Sequence, residues 1–172
     1  EIVSGMRPGG ILLYNGDEPL LQERAPGAFS SVRTFSIDTP AGDYRAVNAR
    51  HSGDGMLFDL ICQDTVLTNI RIPTLGRHNV SNALAAYAVG TLLGLDEDTI
   101  RRGLLAFCGA DRRQKIYNVG DITVIDDCYN ASPESVRAAI DVMQTLANQS
   151  GARMTALLGD MRELGEGSTD FH

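Results

Sequence analysis

With 172 residues, 43% of them hydrophobic and 22% charged, the chain can bury the core of one ordinary domain or of two small ones. Fifteen Lys and Arg against 22 Asp and Glu give a formal charge of −7, which disfavours nucleic acid and anionic lipid as partners. The three cysteines, Cys62, Cys108 and Cys128, are odd in number and far apart, so they read as reduced cytoplasmic thiols rather than a disulfide framework or a CxxC metal site, and no apolar run nears the roughly 20 residues of a membrane span.

In chain order, a short helical tail over Ile2 to Met6 precedes a buried strand from Gly10 to Asn15, which turns at Gly16-Asp17. Four β-rich pieces follow: Val32 to Ile37, Tyr44 to His51, Met56 to Cys62 and Thr65 to Ile72. Turn residues at Ala41-Gly42-Asp43, Ser52-Gly53-Asp54-Gly55 and Gln63-Asp64 separate them, which predicts an antiparallel meander. An Ala-rich helix is expected from Asn79 to Leu93, carrying Val80, Leu84, Tyr87 and Leu92 and stopped by Gly94. Asp96 caps a second helix, with Ile100, Leu104 and Phe107 at i, i+4 and i+7, ending near Gly109.

Beyond Ala110 the pattern changes to a hairpin from Lys115 to Ile125 turning at Gly120-Asp121, a helix from Pro133 to about Gln149, and a strand from Arg153 to Leu158. Ser132 caps that helix, and Val136, Ala139, Ile140, Met143, Leu146 and Ala147 share one face. A strand-helix-strand crossover makes its strands parallel, which would bring the loops carrying Asp127 and Asp160 to one edge. The fold class is therefore α/β: a mixed sheet with an antiparallel meander and two helices, followed by a parallel βαβ unit.

Three constellations carry possible chemistry. In Gly76-Arg77-His78-Asn79-Val80-Ser81-Asn82, two amides three residues apart either offer donor and acceptor to a planar heterocycle such as adenine, or serve as an N-cap and a first-turn bond. His78 has no carboxylate or second histidine at ligand spacing, so it packs or hydrogen-bonds at the helix entry. In Asp111-Arg112-Arg113-Gln114, a guanidinium could bind phosphate bidentately or be a solvated linker charge, and the residues alone do not separate Arg112 from Arg113. In Val124 to Ser135, Asp126-Asp127 could hold ribose hydroxyls, Mg²⁺ or an ammonium group, with Tyr129, Asn130 and Ser132 in the same loop, or could be incidental acids before a capped helix. Gly159 to Gly165 repeats the arrangement after the next strand. Neither GxxxxGK[ST] nor GxGxxG occurs, so a bound nucleotide would need phosphate contacts from outside these residues.

The blocks GILLYNGDEPLL from Gly10, GRHNVSNALAA from Gly76, IDDCYNASP from Ile125 and LGDMRELG from Leu158 together resemble the Mur ligases. The second block is shared across that family. The third and fourth, in that order, are similar to the branch that adds D-alanyl-D-alanine to a UDP-N-acetylmuramoyl-tripeptide. The resemblance implies an excised piece of a three-domain enzyme, in keeping with Glu1, which is not an initiator, and with the stop at His172. Residues 1–110 would be the later part of the central ATPase domain and residues 111–172 the start of a Rossmann-like C-terminal domain. ATP would be the cofactor, with the phosphate loop, the Mg²⁺ ligands and a carbamoylated lysine lying before Glu1, and no metal ligand within the chain.

Carried onto this sequence, the resemblance implies Asn79 and Asn82 as adenine contacts and Asp127 as the ribose acid. It implies Arg113, next to Gln114, as the catalytic arginine reaching the γ-phosphate, and Tyr129, Asn130 and Asp160 as positioning groups for the dipeptide. Cys128 stands where the family often has Ser, and Ser132 where it often has Asn. The implied reaction phosphorylates the substrate's terminal carboxylate and lets the dipeptide amine attack the acyl phosphate, in a cytoplasmic monomer with no nucleic-acid partner. The piece alone would be inactive. Two other readings stay open: a cyanophycin- or folylpolyglutamate-synthetase-type ligase, and a non-catalytic nucleotide-binding module on the same scaffold.

Overall fold

The computed structural model describes residues 2–25, 31–107, 109 and 113–171, with only the backbone of residues 2, 3, 166, 167 and 171. It divides into two compact units, residues 1–107 and 108–172. Asp111 and Arg112 lie outside the described residues.

In the first unit, β1 (Leu12–Asn15), β2 (Val32–Ser36), β3 (Tyr44–Ser52), β4 (Gly55–Cys62) and β5 (Thr65–Ile72) form one mixed sheet in chain order. Strands β3, β4 and β5 are antiparallel, as the tight turns between them require. The expected meander does not extend to β2, which pairs parallel to both β1 and β3. Helix α1 (Pro19–Arg24) lies in the β1 to β2 connection; at six residues with none buried, it has no apolar stripe by which the sequence could announce it. Parallel neighbours normally need a long crossover. Here β2 and β3 share only two pairs, Phe35 with Tyr44 and Ser36 with Arg45, so a short loop over residues 37–43 suffices to step sideways.

One face of this sheet carries the core. Tyr44 and Ala46 of β3, Met56, Phe58 and Leu60 of β4, and Ile70 and Ile72 of β5 alternate inward. Helix α2 (Arg77–Leu92) covers them with Val80, Ala83, Leu84, Tyr87 and Ala88, and α3 (Glu97–Leu105) adds Ile100 and Leu104. Each fully buried Phe or Leu contributes about 1.5–3 kcal/mol relative to exposure. At the α2 and α3 crossing, a Cβ on Gly90 would fall 2.9 Å from the Ile100 side chain, so close packing there requires glycine. Asp96 caps α3 by accepting the Thr99 N–H at 2.9 Å. The helix stops at Leu105, and Phe107, expected on its buried face, is 51% exposed because the chain has already left the helix.

In the second unit, β6 (Lys115–Val119) and β7 (Ile122–Asp126) form a two-stranded antiparallel hairpin turning through Gly120, whose φ of 58° favours glycine. Helix α4 (Pro133–Ser150) opens with a reciprocal cap: the Ser135 N–H donates to Ser132 Oγ at 3.2 Å, and the Ser132 N–H donates to Ser135 Oγ at 2.9 Å. Val136, Ala139, Met143, Leu146 and Ala147 of the expected stripe are half-buried, but the helix's most buried residue is Val142 and Ile140 is 36% exposed, so the covered side is shifted toward Val142. The strand expected from Arg153 to Leu158 is not formed: residues 152–162 have no regular structure. A strand exists by its ladder, and none of the described strands pairs with this segment; Leu157 is 96% exposed. The parallel βαβ unit is accordingly absent among the described residues, although the α/β class and the mixed sheet hold.

Candidate functional site

Two places gather the polar groups singled out by sequence, one in each unit. In the first, Gly76 is the N-cap of α2, with a φ of 95° that suits glycine, and its carbonyl accepts the N–H groups of Asn79 and Val80 at 3.1 and 3.4 Å. Asn79 is thus the third helical residue and not the cap. Its Nδ2 donates to the Leu75 carbonyl at 2.8 Å, and its Oδ1 accepts from Asn82 Nδ2 at 3.4 Å. The two amides therefore share a face and hold one another, as i and i+3 positions on a helix allow. Asn79 is half-buried, whereas His78 and Asn82 are exposed.

That helix start is tied to the sheet through residues not expected to matter. Arg77 pairs with Asp38, in the loop between β2 and β3. The same loop is held by the Asp17 carboxylate, which accepts the N–H groups of Ile37, Asp38 and Thr39 at 2.7, 3.1 and 2.7 Å. Burial alone would raise the Asp17 pKa, but these bonds outweigh it and hold the carboxyl below its usual range. Its sequence signal was the Gly16-Asp17 turn straight after a buried strand, which shows a turn but not the loop that the carboxylate gathers.

In the second unit the hairpin register decides what meets what. Lys115 pairs with Asp126 at the open end, so the next step places Gln114 opposite Asp127, and the one after it would place Arg113 opposite Cys128, the neighbour of Tyr129. The backbone ladder stops there and side chains continue it. Asp127 Oδ1 accepts the Gln114 N–H at 3.0 Å, and the Arg113 guanidinium lies over the Tyr129 ring, 4.6 Å from its centroid. Gln114 has a φ of 52°, a left-handed conformation that a non-glycine residue adopts only where its surroundings hold it. Arg113 is exposed and Tyr129 is 65% exposed, so this cation presents itself at the surface. Asn130 lies exposed in the same loop.

Asp126 and Asp127 each give one oxygen to a backbone N–H, of Cys128 at 3.4 Å and of Gln114 respectively. Among the described residues no group of three or more His, Cys, Asp or Glu side chains is placed to hold a metal ion. Asp160 lines an open depression with Met161, Ser168 and Thr169. With the strand at 153–158 unformed, the sheet topology that would make its loop a neighbour of Asp127 does not apply.

The Mur ligase middle domain matches residues 1–90, and the Mur ligase glutamate ligase domain matches residues 111–172. The chain belongs to the Mur ligase family. Among similar Mur ligases, the UDP-N-acetylmuramoyl-tripeptide–D-alanyl-D-alanine ligase of Bacillus subtilis (strain 168) is 36% identical over all of this chain and 36% of its own length. The ligase of the same name from Synechocystis is 31% identical over all of this chain and 35% of its own. The chain spans about a third of the length of these curated relatives. A crystal structure of MurF from Acinetobacter baumannii superposes with a TM-score of 0.82 at 28% identity, covering 99% of this chain and 36% of that one. A Thermotoga maritima MurF crystallised with ADP shares the fold, with a TM-score of 0.80 at 20% identity over 99% of this chain and 38% of its own.

Proposed function

We propose that this chain is part of an ATP-dependent ligase that joins D-alanyl-D-alanine to a UDP-N-acetylmuramoyl-tripeptide, in peptidoglycan precursor synthesis in the cytoplasm. The observation that carries this reading is the similarity, over the whole of the chain and so across both units, to ligases named for that reaction. We take residues 1–110 as the later part of the central domain and residues 111–172 as the start of the C-terminal domain, in a protein that works as a monomer.

In this reading Asn79 and Asn82 take the adenine edge, since a held pair of amides offers both donor and acceptor. Asp127, with one oxygen on Gln114, turns the other to a ribose hydroxyl. Arg113 meets the charge that develops on the transferring phosphoryl group, a role suited to a guanidinium because its fork of donors matches phosphate oxygens. Asn130 and Asp160 are assigned to the amine of the incoming dipeptide. The carboxyl-to-phosphate step forms a P–O bond to the substrate carboxylate and releases ADP. The amine then attacks the acyl carbon, and phosphate leaves as the amide forms. No step is assigned to Mg²⁺, because the described residues provide no set of ligands for it.

The test is phosphate release by the complete gene product given ATP and UDP-N-acetylmuramoyl-tripeptide. Release that depends on D-alanyl-D-alanine supports the reading. Turnover with L-alanine on UDP-N-acetylmuramate, or with glutamate on a folate, and none with D-alanyl-D-alanine would overturn it.

A further inference from the structure

The family resemblance implies Tyr129 as a dipeptide contact, but its ring already has a partner in Arg113. The loop after β7 and the segment before β6 are joined by two contacts, one in the register of the hairpin and one a residue out of it. The Asp127 carboxylate takes the Gln114 N–H at 3.0 Å, and the Tyr129 ring carries the Arg113 guanidinium at 4.6 Å. Between them Gln114 is held at a φ of 52°. This conformation aims its N–H at the carboxylate and sets the direction in which the preceding residue leaves the hairpin.

A free arginine samples many rotamers, and that freedom is lost when it must meet a phosphoryl group. A guanidinium resting on an aromatic face with its backbone clamped one residue later has lost much of that freedom before any ligand arrives. The contact also leaves the edge of the planar fork, where all five donors lie, available to oxygens, because stacking uses the face of the cation. An acidic partner would instead have consumed the donors.

We propose that Tyr129 and Asp127 are positioning residues for Arg113: the tyrosine holds the guanidinium by its face and the aspartate fixes the Gln114 peptide. This rests on the reading of Arg113 as the phosphate-binding arginine. Tyr129 therefore acts on the ATP half of the reaction rather than on the dipeptide half.

The complete ligase would be prepared as wild type, Tyr129→Leu, Tyr129→Phe, Arg113→Ala and the double variant Tyr129→Leu with Arg113→Ala. Tyr129→Leu should weaken kcat/KM for ATP by about two- to fivefold, the range of an exposed cation–π contact. It should leave the KM for D-alanyl-D-alanine unchanged, and Tyr129→Phe, which keeps the ring face, should recover the loss. In the Arg113→Ala background the tyrosine change should add nothing. A raised KM for D-alanyl-D-alanine with ATP unaffected, or losses that multiply in the double variant, would overturn the proposal.

Independently of turnover, the Arg113 Nε–H resonance should show an upfield ring-current shift in wild type and Tyr129→Phe that vanishes in Tyr129→Leu. A shift insensitive to Tyr129 also overturns the proposal. If D-alanyl-D-alanine is no substrate, the proposed function falls. The positioning claim is then decided by that resonance together with the dissociation constant for ATP, which should rise two- to fivefold in Tyr129→Leu.

Discussion

In the first unit Phe58, Leu60, Ile70, Leu84 and Val80 are fully buried between the sheet and its helices; in the second, among the described residues, only Val142 is buried to that degree. The first owes its shape to a core, with one sheet face and two helix faces closing on each other. In the second, the shape around the candidate site comes from a hairpin, a reciprocal serine cap and two side-chain contacts that extend the ladder. The difference teaches that a loop can be held in place by hydrogen bonds and one stacked cation where little apolar area is buried. Such a loop is specified geometrically while contributing little to global stability.

The comparison can be broken most directly in the cores. Phe58→Ala should cost the first unit about 3–5 kcal/mol in chemical denaturation, whereas Val142→Ala should cost the second about 1–2 kcal/mol. Equal losses would mean that the second unit has a core as demanding as the first. Gly55 begins β4 where a Cβ would lie 2.0 Å from the Ile72 carbonyl oxygen, so Gly55→Ala should cost about 3 kcal/mol and lower Tm with little change in the denaturant slope.

Polar clamps should cost less in either unit. Asp17→Asn removes a charge that accepts three N–H groups, for about 1–2 kcal/mol, with the charge-assisted value reduced for partial exposure. Because the Asp17 pKa is lowered on folding, its contribution is complete above the unfolded value near 3.9 and is lost as pH falls through the folded value. The difference between wild type and Asp17→Asn should therefore shrink on acidification below about pH 4. Smallest is Ser132→Ala, at about 1 kcal/mol, read as faster amide exchange in the first turn of α4. If it destabilised the second unit as strongly as Phe58→Ala does the first, capping and not packing would be its main support.

Legibility in the sequence follows the same division. The strands from Tyr44 to Ile72 and the helices from Arg77 and from Pro133 were readable because alternation, periodicity, Gly turns and caps are local signals. The parallel pairing of β2 was not readable, since a loop of turn residues is equally consistent with a return or a sidestep. Arg153 to Leu158 has the composition of a strand, but pairing is a tertiary property that composition cannot supply. Arg113, Asp127 and Tyr129 were legible as candidates. What the sequence left open was their mutual contact, which depends on the Lys115 to Asp126 register and on a left-handed Gln114 that no local rule anticipates.

The two-pair junction between β2 and β3 also bears on how the first sheet is held together. All of the ladder linking β1 and β2 to the larger antiparallel part passes through Phe35 with Tyr44 and Ser36 with Arg45, reinforced by Asp43, whose carboxylate accepts the Thr34 N–H and hydroxyl at 2.8 and 3.0 Å. Across that seam the ladder has two rungs, while β3 and β4 share seven paired positions. Helix α2 packs on β1 and β2 as well as on β3, and Leu13 and Phe35 pack against the Phe58 core, so the ribbon is held by the core more than by its rungs, and pulling it away would open the core with it.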